Sequence, residues 1–203
     1  MYTEKAPFPG QGRAVFIRGE KMGYLFWGFL FSTFDYILHL GSLNVGIFPD
    51  VLGYMFLVAG CKAMFSKSQQ FEKAYRFCAI ALFVSAVKYV VDLFGVLLLT
   101  PDAVRVLADI VYAVMKMFVA FSVIKAYGEM ESLTHIDLRS KKLFSSAVIL
   151  AVFCVLKAIG PVDGIIGGYV YIIAFFGALL MPAVFMVQEY DAYMNYKGNV
   201  LMK

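Results

Sequence analysis

Charged residues, histidines and cysteines are scarce in this chain of 203 residues. Charged side chains make up 16% of it, hydrophobic residues make up 62%, and the mean hydropathy is +0.77. Because a soluble domain is about half apolar, this composition excludes one. The net charge of +4 belongs to the connecting segments, so no nucleic-acid partner is predicted.

The few histidines and cysteines also exclude several kinds of site. With only His39 and His135, a bis-histidine haem site is not expected. Cys61 and Cys78 are predicted at one depth beside a reducing compartment, where disulfides are disfavoured, and Cys154 lies mid-span. The Gly-x-Ser-x-Gly, His-Glu-x-x-His, Walker and Cys-x-x-Cys motifs are all missing, which favours a protein that is not an enzyme.

Six long apolar stretches account for most of the chain. They lie at about 22–40, 48–66, 75–99, 102–126, 143–160 and 163–187. Each is near the roughly 20 residues that a helix needs to cross a hydrocarbon core. Continuous apolar runs favour helices over alternating strands, so we predict an all-α polytopic membrane protein with three helical hairpins.

The lysines and arginines predict the orientation of these hairpins. Fourteen of the eighteen lie before the first stretch, between the second and third, between the fourth and fifth, or after the sixth. Cytoplasmic segments carry this excess, which predicts six spans with both termini in the cytoplasm. The predicted parts are a cytoplasmic segment 1–21 without a signal peptide, a membrane domain 22–187 and a cytoplasmic tail 188–203.

Three further parts of the chain allow structural predictions. Residues 41–48 are apolar for a solvated loop, so they are expected to cover the outer mouth or dip back into the protein. The chain after Gln188 is expected to continue as a helix. Gly164 and Gly168, with Gly177 beyond them, indicate close helix packing or a thin segment beside a ligand.

Polar residues recur at helical spacing within three of the stretches. Because ionisable groups inside a membrane are costly, they usually face the bundle interior. The three stripes are Gly28, Ser32, Asp35 and His39; Ser85, Lys88 and Asp92; and Arg105, Asp109, Tyr112 and Lys116.

The second and third stripes are predicted to meet in the second hairpin. Folding it about residues 100–101 brings Asp92 opposite Asp109 and Lys88 level with Tyr112, with Lys116 deeper. These groups form either an ionic clamp between the two helices, a proton or ion relay, or the wall of a ligand cavity.

A second polar group is acidic and lies at the outer side. Asp35, His39, Asp50 and Asp163 are placed there, where all the carboxylates are aspartates. Such a pocket would favour a cation, an amine or a metal ion. His39, Asp35 and Asp50 are the candidate metal ligands, and a metal or cation is the one cofactor considered. Asp50 and Asp163 have an alternative interpretation as helix caps.

The segment from Phe48 to Tyr54, Phe-Pro-Asp-Val-Leu-Gly-Tyr, resembles a pattern in small multi-spanning bacterial membrane proteins of uncharacterised function. The six-span layout also resembles the S-components of energy-coupling-factor vitamin transporters. That resemblance implies a substrate-binding membrane subunit. The Ala-x-x-x-Ala pattern by which such subunits dock occurs here in the fifth stretch, at Ala147 and Ala151, and not in the first.

The leading hypothesis is a protein of the bacterial cytoplasmic membrane that binds or transports a small solute or cation through an outward-opening cavity. The predicted ligand-binding residues are Asp35, His39, Asp50, Lys88, Asp92, Asp109, Tyr112, Lys116 and Asp163. The alternative is a scaffold, sensor or assembly partner that works through its cytoplasmic loops with a membrane protein partner or a second copy. An intramembrane enzyme is the third hypothesis.

Overall fold

The computed structural model describes the backbone of residues 11–33, 37–40, 43–46, 50–93, 102–159 and 165–201, and the side chains of 21–33, 50–91 and most of 107–199. The elements are α1 (Gln11–Thr33), β1 (Ile37–Leu40), β2 (Leu43–Gly46), α2 (Asp50–Ala63), α3 (Gln70–Leu93), α4 (Asp102–Thr134), α5 (Ser140–Ile159) and α6 (Ile165–Leu201). The predicted helical architecture is therefore confirmed.

The six helices form a closed ring. Each helix packs against its neighbours in the chain, and α6 returns to pack against α1. The connections after α2 and after α4 are short, so the helices they join run in opposite directions. We call the end of the bundle with these two connections the loop end, and the opposite end, with β1 and β2, the hairpin end.

Side chains of α4 reach across this ring to helices that are not its neighbours. Tyr112 contacts α2, Lys116 contacts α1, and Tyr127 contacts α6. These positions recur at helical spacing with buried Val119 and Val123, so one face of α4 points inward along most of its length. Polar groups on this face therefore lie against other parts of the protein.

The outer surface of the ring is apolar on all six helices. Phe83 on α3 is 71% exposed, whereas Glu189 on α6 is 0% exposed. Other exposed apolar side chains include Trp27, Met55, Phe118, Val152, Ile173 and Leu180. Soluble proteins rarely expose large continuous apolar patches, so this surface is suited to lipid.

Three helices in the described part of the chain are long and apolar enough to cross a membrane. They are the segments Gln70–Val91, Ile110–Thr134 and Ile172–Asn199. The α4 helix has 33 residues and α6 has 37, which at about 1.5 Å per residue makes them about 50 and 55 Å long. Both helices are longer than a hydrocarbon core of about 30 Å is thick. The expectation that the chain after Gln188 continues as a helix is confirmed, because α6 runs to Leu201.

The end predicted for the first stretch was wrong, and α2 is shorter than the second stretch. The first was predicted as one apolar run to residue 40, but α1 ends at Thr33 and β1 begins at Ile37. The second was placed at 48–66, whereas α2 is 14 residues long, about 21 Å. Hydrophobicity alone marked these positions, and it does not distinguish a helix from the apolar strands of a hairpin.

The hairpin end is formed by β1 and β2, which pair antiparallel with His39 opposite Asn44. Strand β2 packs against α3, so the hairpin lies on the bundle. The prediction that residues 41–48 pack against the protein is confirmed for β2, and the rest of that segment lies outside the described residues. Because His39 lies on a strand, the helical spacing proposed from Gly28 to His39 does not extend to it.

Glycines let α1 and α2 approach closely. A Cβ on Gly53 would lie 2.6 Å from the backbone nitrogen of Ser32, and one on Gly28 would lie 2.8 Å from that of Leu57. Gly60 faces Leu25 in the same way. Small residues allow this spacing between membrane helices. The packing predicted for α6 holds at Gly177, which lies against Phe153, but not at Gly168, where a Cβ would meet nothing within 4 Å.

Candidate functional site

The candidate site lies where α1 ends and α2 begins. Ser32 is the penultimate residue of α1, and Asp50 is the first residue of α2. Helix starts favour aspartate because its carboxylate interacts with unpaired backbone N–H groups and with the positive end of the helix dipole. The local sequence therefore explains why α2 begins at Asp50, and the bundle then determines what this carboxylate contacts.

Two side chains of α4 converge on the Asp50 carboxylate. The hydroxyl of Tyr112 donates a hydrogen bond to Asp50 Oδ2 at 2.7 Å, and Lys116 Nζ forms an ion pair with the same oxygen at 2.8 Å. Residues four apart lie on one face of a helix, so Tyr112 and Lys116 approach Asp50 from the same side. Asp50, Tyr112 and Lys116 are called the polar triad below.

Lys116 also joins the ends of two helices. Its Nζ donates to the backbone carbonyl of Ser32 at 3.4 Å, in the last turn of α1. A cation is favourable at a helix C-terminus and an anion at an N-terminus. At this junction the ammonium group of Lys116 therefore lies at the C-terminus of α1, and the carboxylate of Asp50 lies at the N-terminus of α2. Each charge is favourable at its helix end.

A second lysine lies on the other helix of the predicted hairpin. Lys88 on α3 has its Nζ 5.4 Å from the centre of the Tyr112 ring, and Lys116 Nζ is 5.0 Å from the same centre. Both distances are within the range of cation–π attraction. The Tyr112 ring thus contacts two ammonium groups while its hydroxyl donates to the carboxylate.

The polar triad is largely removed from water. The Asp50 and Lys116 side chains are 10% and 26% exposed, and Tyr112 is 7% exposed. A buried ion pair contributes little net stability, because desolvation of both groups offsets their attraction. Removing one partner alone is costly, since the other charge then stays buried without compensation.

The structure brings together four of the predicted site residues: Asp50, Tyr112, Lys116 and Lys88. Lys116 was expected to lie deeper than the acidic group, and its Nζ nevertheless reaches Asp50 and pairs with it. Asp50 therefore shares its oxygen with a cation and a phenol. The predicted outer pocket with excess negative charge has at least one of its carboxylates neutralised.

Other predicted site residues cannot be placed with these four. Asp35 and Asp163 lie outside the described residues, as do the side chains of His39, Asp92 and Asp109. The ionic network across the second hairpin and the metal site thus stay predictions. In the part of the chain that the structure describes, no three His, Cys, Asp or Glu side chains lie together as a metal site.

One buried acid was missed. Glu189 was assigned to the cytoplasmic tail, but it is 0% exposed and accepts a hydrogen bond of 2.5 Å from the hydroxyl of Tyr127. A signal for this burial was present, because Phe185, Glu189, Ala192 and Tyr196 recur at helical spacing and all are buried. The inward face of α6 therefore continues past the predicted end of the membrane domain.

The loop end is held by further polar contacts. Arg139 pairs with Asp191 at 2.5 Å, and the Asn195 amide donates to the Asp137 carbonyl at 3.0 Å. His135 has a φ angle of 57°, in the left-handed region that commonly ends a helix, and Arg139, just before α5, has a φ angle of 55°. The connection between α4 and α5 is thus fixed against α6.

A scan against family models gave no match, and comparisons with curated proteins and with solved structures also gave none.

Proposed function

We propose that this chain is a multi-pass protein of a bacterial cytoplasmic membrane, with six spans and both termini in the cytoplasm. Two features support this topology. Exposed apolar side chains occur on all six helices of the ring, including the short α2. The lysine and arginine pattern places the loop end in the cytoplasm and the hairpin end outside. Its likeness in layout to substrate-binding transporter subunits is part of this proposal.

A reporter fused after Lys203 tests the orientation. A fluorescent protein that matures only in the cytoplasm is expected to be bright there, and alkaline phosphatase, which is active only outside, is expected to be inactive. The opposite result would reverse the topology and place the polar triad on the cytoplasmic side.

We further propose that the protein binds or transports a small polar solute or cation that enters from the hairpin end. The observation that carries this proposal is the polar triad itself. Helix α2 contributes a carboxylate, and α4 contributes a phenol and an ammonium group. The three groups contact one another at the junction of two helix ends. Ionisable groups in this setting are costly and are typical of ligand pathways. Helix ends within a bundle serve as ion and substrate sites in transporters.

The geometry also indicates how binding would proceed. A cationic ligand at Asp50 would displace Lys116 from Oδ2, while Lys116 keeps the Ser32 carbonyl and the face of Tyr112 as neighbours. The hydroxyl of Tyr112 can continue to donate its hydrogen bond to the Asp50 carboxylate. Because one cation replaces another, the net charge of the site stays the same. The Asp50 carboxylate is therefore not left buried without a compensating charge when Lys116 is released.

Ligand-induced thermal stabilisation of Asp50→Asn tests this role. Purified wild-type protein is screened with inorganic cations, amines and small polar solutes, and each hit is repeated with the variant. We expect the stabilisation by the ligand to be lost in Asp50→Asn. The matched control is Glu72→Gln, because Glu72 is an exposed carboxylate paired with Arg76. If Asp50→Asn folds and responds to every ligand as wild type does, the ligand-site proposal is overturned.

The alternative, a scaffold or assembly partner, is favoured by one observation. The connection between α4 and α5 is fixed by Arg139 and Asn195, so it presents a defined surface at the loop end. Replacing Arg139 would disturb this fold. A fair test therefore replaces the exposed Lys141 and Lys142, and loss of a stoichiometric protein partner on pull-down would support the alternative.

A further inference from the structure

A groove opens at the loop end between the start of α5 and the middle of α6. Its volume is about 340 Å³. Lys141 and Lys142 line it in the first turn of α5, and Ile149 and Val184 line it farther from the bundle end. The groove lies on the outer surface of the ring, not at the polar triad.

The lining changes from charged to apolar along the helix axis. Ile149 is seven residues beyond Lys142, about 10 Å along α5. Between them, Ser146 donates to Gln188 Oε1 at 2.7 Å, which holds α5 and α6 together at the floor of the groove. The order from the bundle end inward is therefore ammonium groups, then a hydroxyl and an amide, then apolar side chains.

The apolar part of the groove is open to the surroundings of the bundle. Ile149 and Val184 are 46% and 44% exposed, and exposed apolar residues flank them on both helices, including Phe144, Val148, Leu180 and Val187. An occupant of this part would lie beside the apolar surface of the protein. A water-soluble anion would not use it.

The charged lining of the groove consists of the two ammonium groups of Lys141 and Lys142. The Glu131 carboxylate lies nearby, where it accepts a hydrogen bond from Ser140 at the start of α5. Neither Lys141 nor Lys142 forms an ion pair within the described residues, and the first turn of α5 has no acidic residue. The positive end of the α5 dipole adds to the charge of both lysines. The two ammonium groups would thus be relieved of repulsion by an anion placed between them.

We propose that this groove binds one anionic phospholipid of the surrounding bilayer. Its phosphate lies at Lys141 and Lys142, its glycerol region lies near Ser146 and Gln188, and an acyl chain follows Ile149 and Val184. Basic pockets between membrane helices bind anionic headgroups in this way. The proposal needs the bundle to lie in a bilayer, but it is independent of any solute at the polar triad.

Native mass spectrometry in neutral detergent tests the proposal. The protein is titrated with phosphatidylglycerol, which is anionic, or phosphatidylcholine, which has no net charge. Each lysine near a membrane surface contributes about a fivefold preference for anionic lipid, so we expect about a 25-fold preference at one site. Lys141→Gln with Lys142→Gln should abolish this preference.

Two further variants distinguish the effect of the groove lysines on lipid binding from the effect of the groove's shape. Lys62→Gln with Lys73→Gln removes two exposed lysines at the same end of the bundle but outside the groove, and it should keep the preference. Ile149→Trp fills the apolar part without changing charge, and it should lower occupancy by both lipids. If the Lys141 and Lys142 variant proves unstable, Ile149→Trp still tests the site.

Several results would overturn the proposal. One is a preserved preference in the Lys141 and Lys142 variant, and another is an equal loss in the Lys62 and Lys73 control. Competition by inorganic phosphate at the affinity of the lipid would show a free-anion site instead. A protein partner that depends on Lys141 and Lys142 while lipid binding does not would favour the scaffold function.

Discussion

Two tyrosines of α4 each bind a carboxylate, but their surroundings differ. Near the hairpin end Tyr112 donates to Asp50, and near the loop end Tyr127 donates to Glu189, 15 residues along the helix and about 22 Å away. Lys116 compensates the charge of Asp50, whereas Glu189 forms no ion pair within the described residues. The Tyr112–Asp50 pair thus includes a compensating cation and lies at a helix junction, whereas the Tyr127–Glu189 pair is enclosed by the core.

This difference separates a candidate ligand site from a structural contact. Asp50 lies at the junction of two helix ends, and its cationic partner Lys116 is partly exposed. Glu189 is fully buried, and its partner Tyr127 packs against the ring of Phe71. A buried polar group held by a hydrogen bond within an apolar core helps to select one packing arrangement.

The largest effect is expected at Lys116. Lys116→Met leaves the Asp50 carboxylate buried without its cation, and we expect a loss of about 3 kcal/mol in the free energy of unfolding. The decrease in Tm in detergent measures this loss. Asp50→Asn with Lys116→Met removes both charges and should recover most of it. A double variant as unstable as Lys116→Met would show that the ion pair is not the cause.

The next largest effect concerns the close approach that forms the hairpin-end junction. In Gly53→Ala the new Cβ would meet the backbone of α1 at Ser32, and we expect destabilisation by about 2 kcal/mol. Gly198→Ala is the control at the loop end, because nothing lies within 4 Å of its Cβ position. Since alanine is the better helix former, the control should stabilise α6 by about 0.5–1 kcal/mol. Thermal unfolding of both variants in one detergent compares them.

Removing each tyrosine hydroxyl tests the comparison directly. Tyr127→Phe takes a hydrogen bond from a fully buried carboxylate and should cost about 2 kcal/mol. Tyr112→Phe should cost about 1 kcal/mol, because Lys116 still compensates Asp50. Denaturant unfolding measures both changes. If Tyr112→Phe costs more than Tyr127→Phe, the distinction between the two pairs fails.

The smallest effect is expected in the connection that fixes the loop end. His135 is exposed and has a φ of 57°, a conformation that glycine adopts without strain. His135→Gly should therefore raise the free energy of unfolding by about 0.5 kcal/mol or leave it unchanged. His135→Ala is the control that keeps the strain. A marked loss of Tm in the glycine variant would indicate an unseen role for the imidazole.

The helices were predictable from the sequence to a large extent, while the exact end of α1 was not. Apolar length placed six stretches, and six helices are found at them. The hairpin at Ile37–Gly46 was missed, because Ile37, Leu38 and Leu40 are as apolar as the helix before them. Hydrophobicity reports a preference for a nonpolar environment and not the backbone conformation within it.

The residues of the polar triad were predicted from the sequence, but the ion pair between Lys116 and Asp50 was not. The four-residue spacing of Tyr112 and Lys116 placed both on one face of α4, and this face points inward. That Lys116 would pair with Asp50 could not be read from spacing, because it depends on the depth at which α2 begins. Folding each hairpin about its turn placed these residues at different depths.

The sequence by itself determined that this protein is helical and suited to a membrane, because apolar length and helical period are local properties of the chain. The tertiary structure decided which charges meet. The rotation of α4 and the close packing of α1 on α2 bring Lys116 to Asp50, and the continuing inward face of α6 buries Glu189. These pairings depend on distances between segments far apart in the chain, which no local pattern encodes.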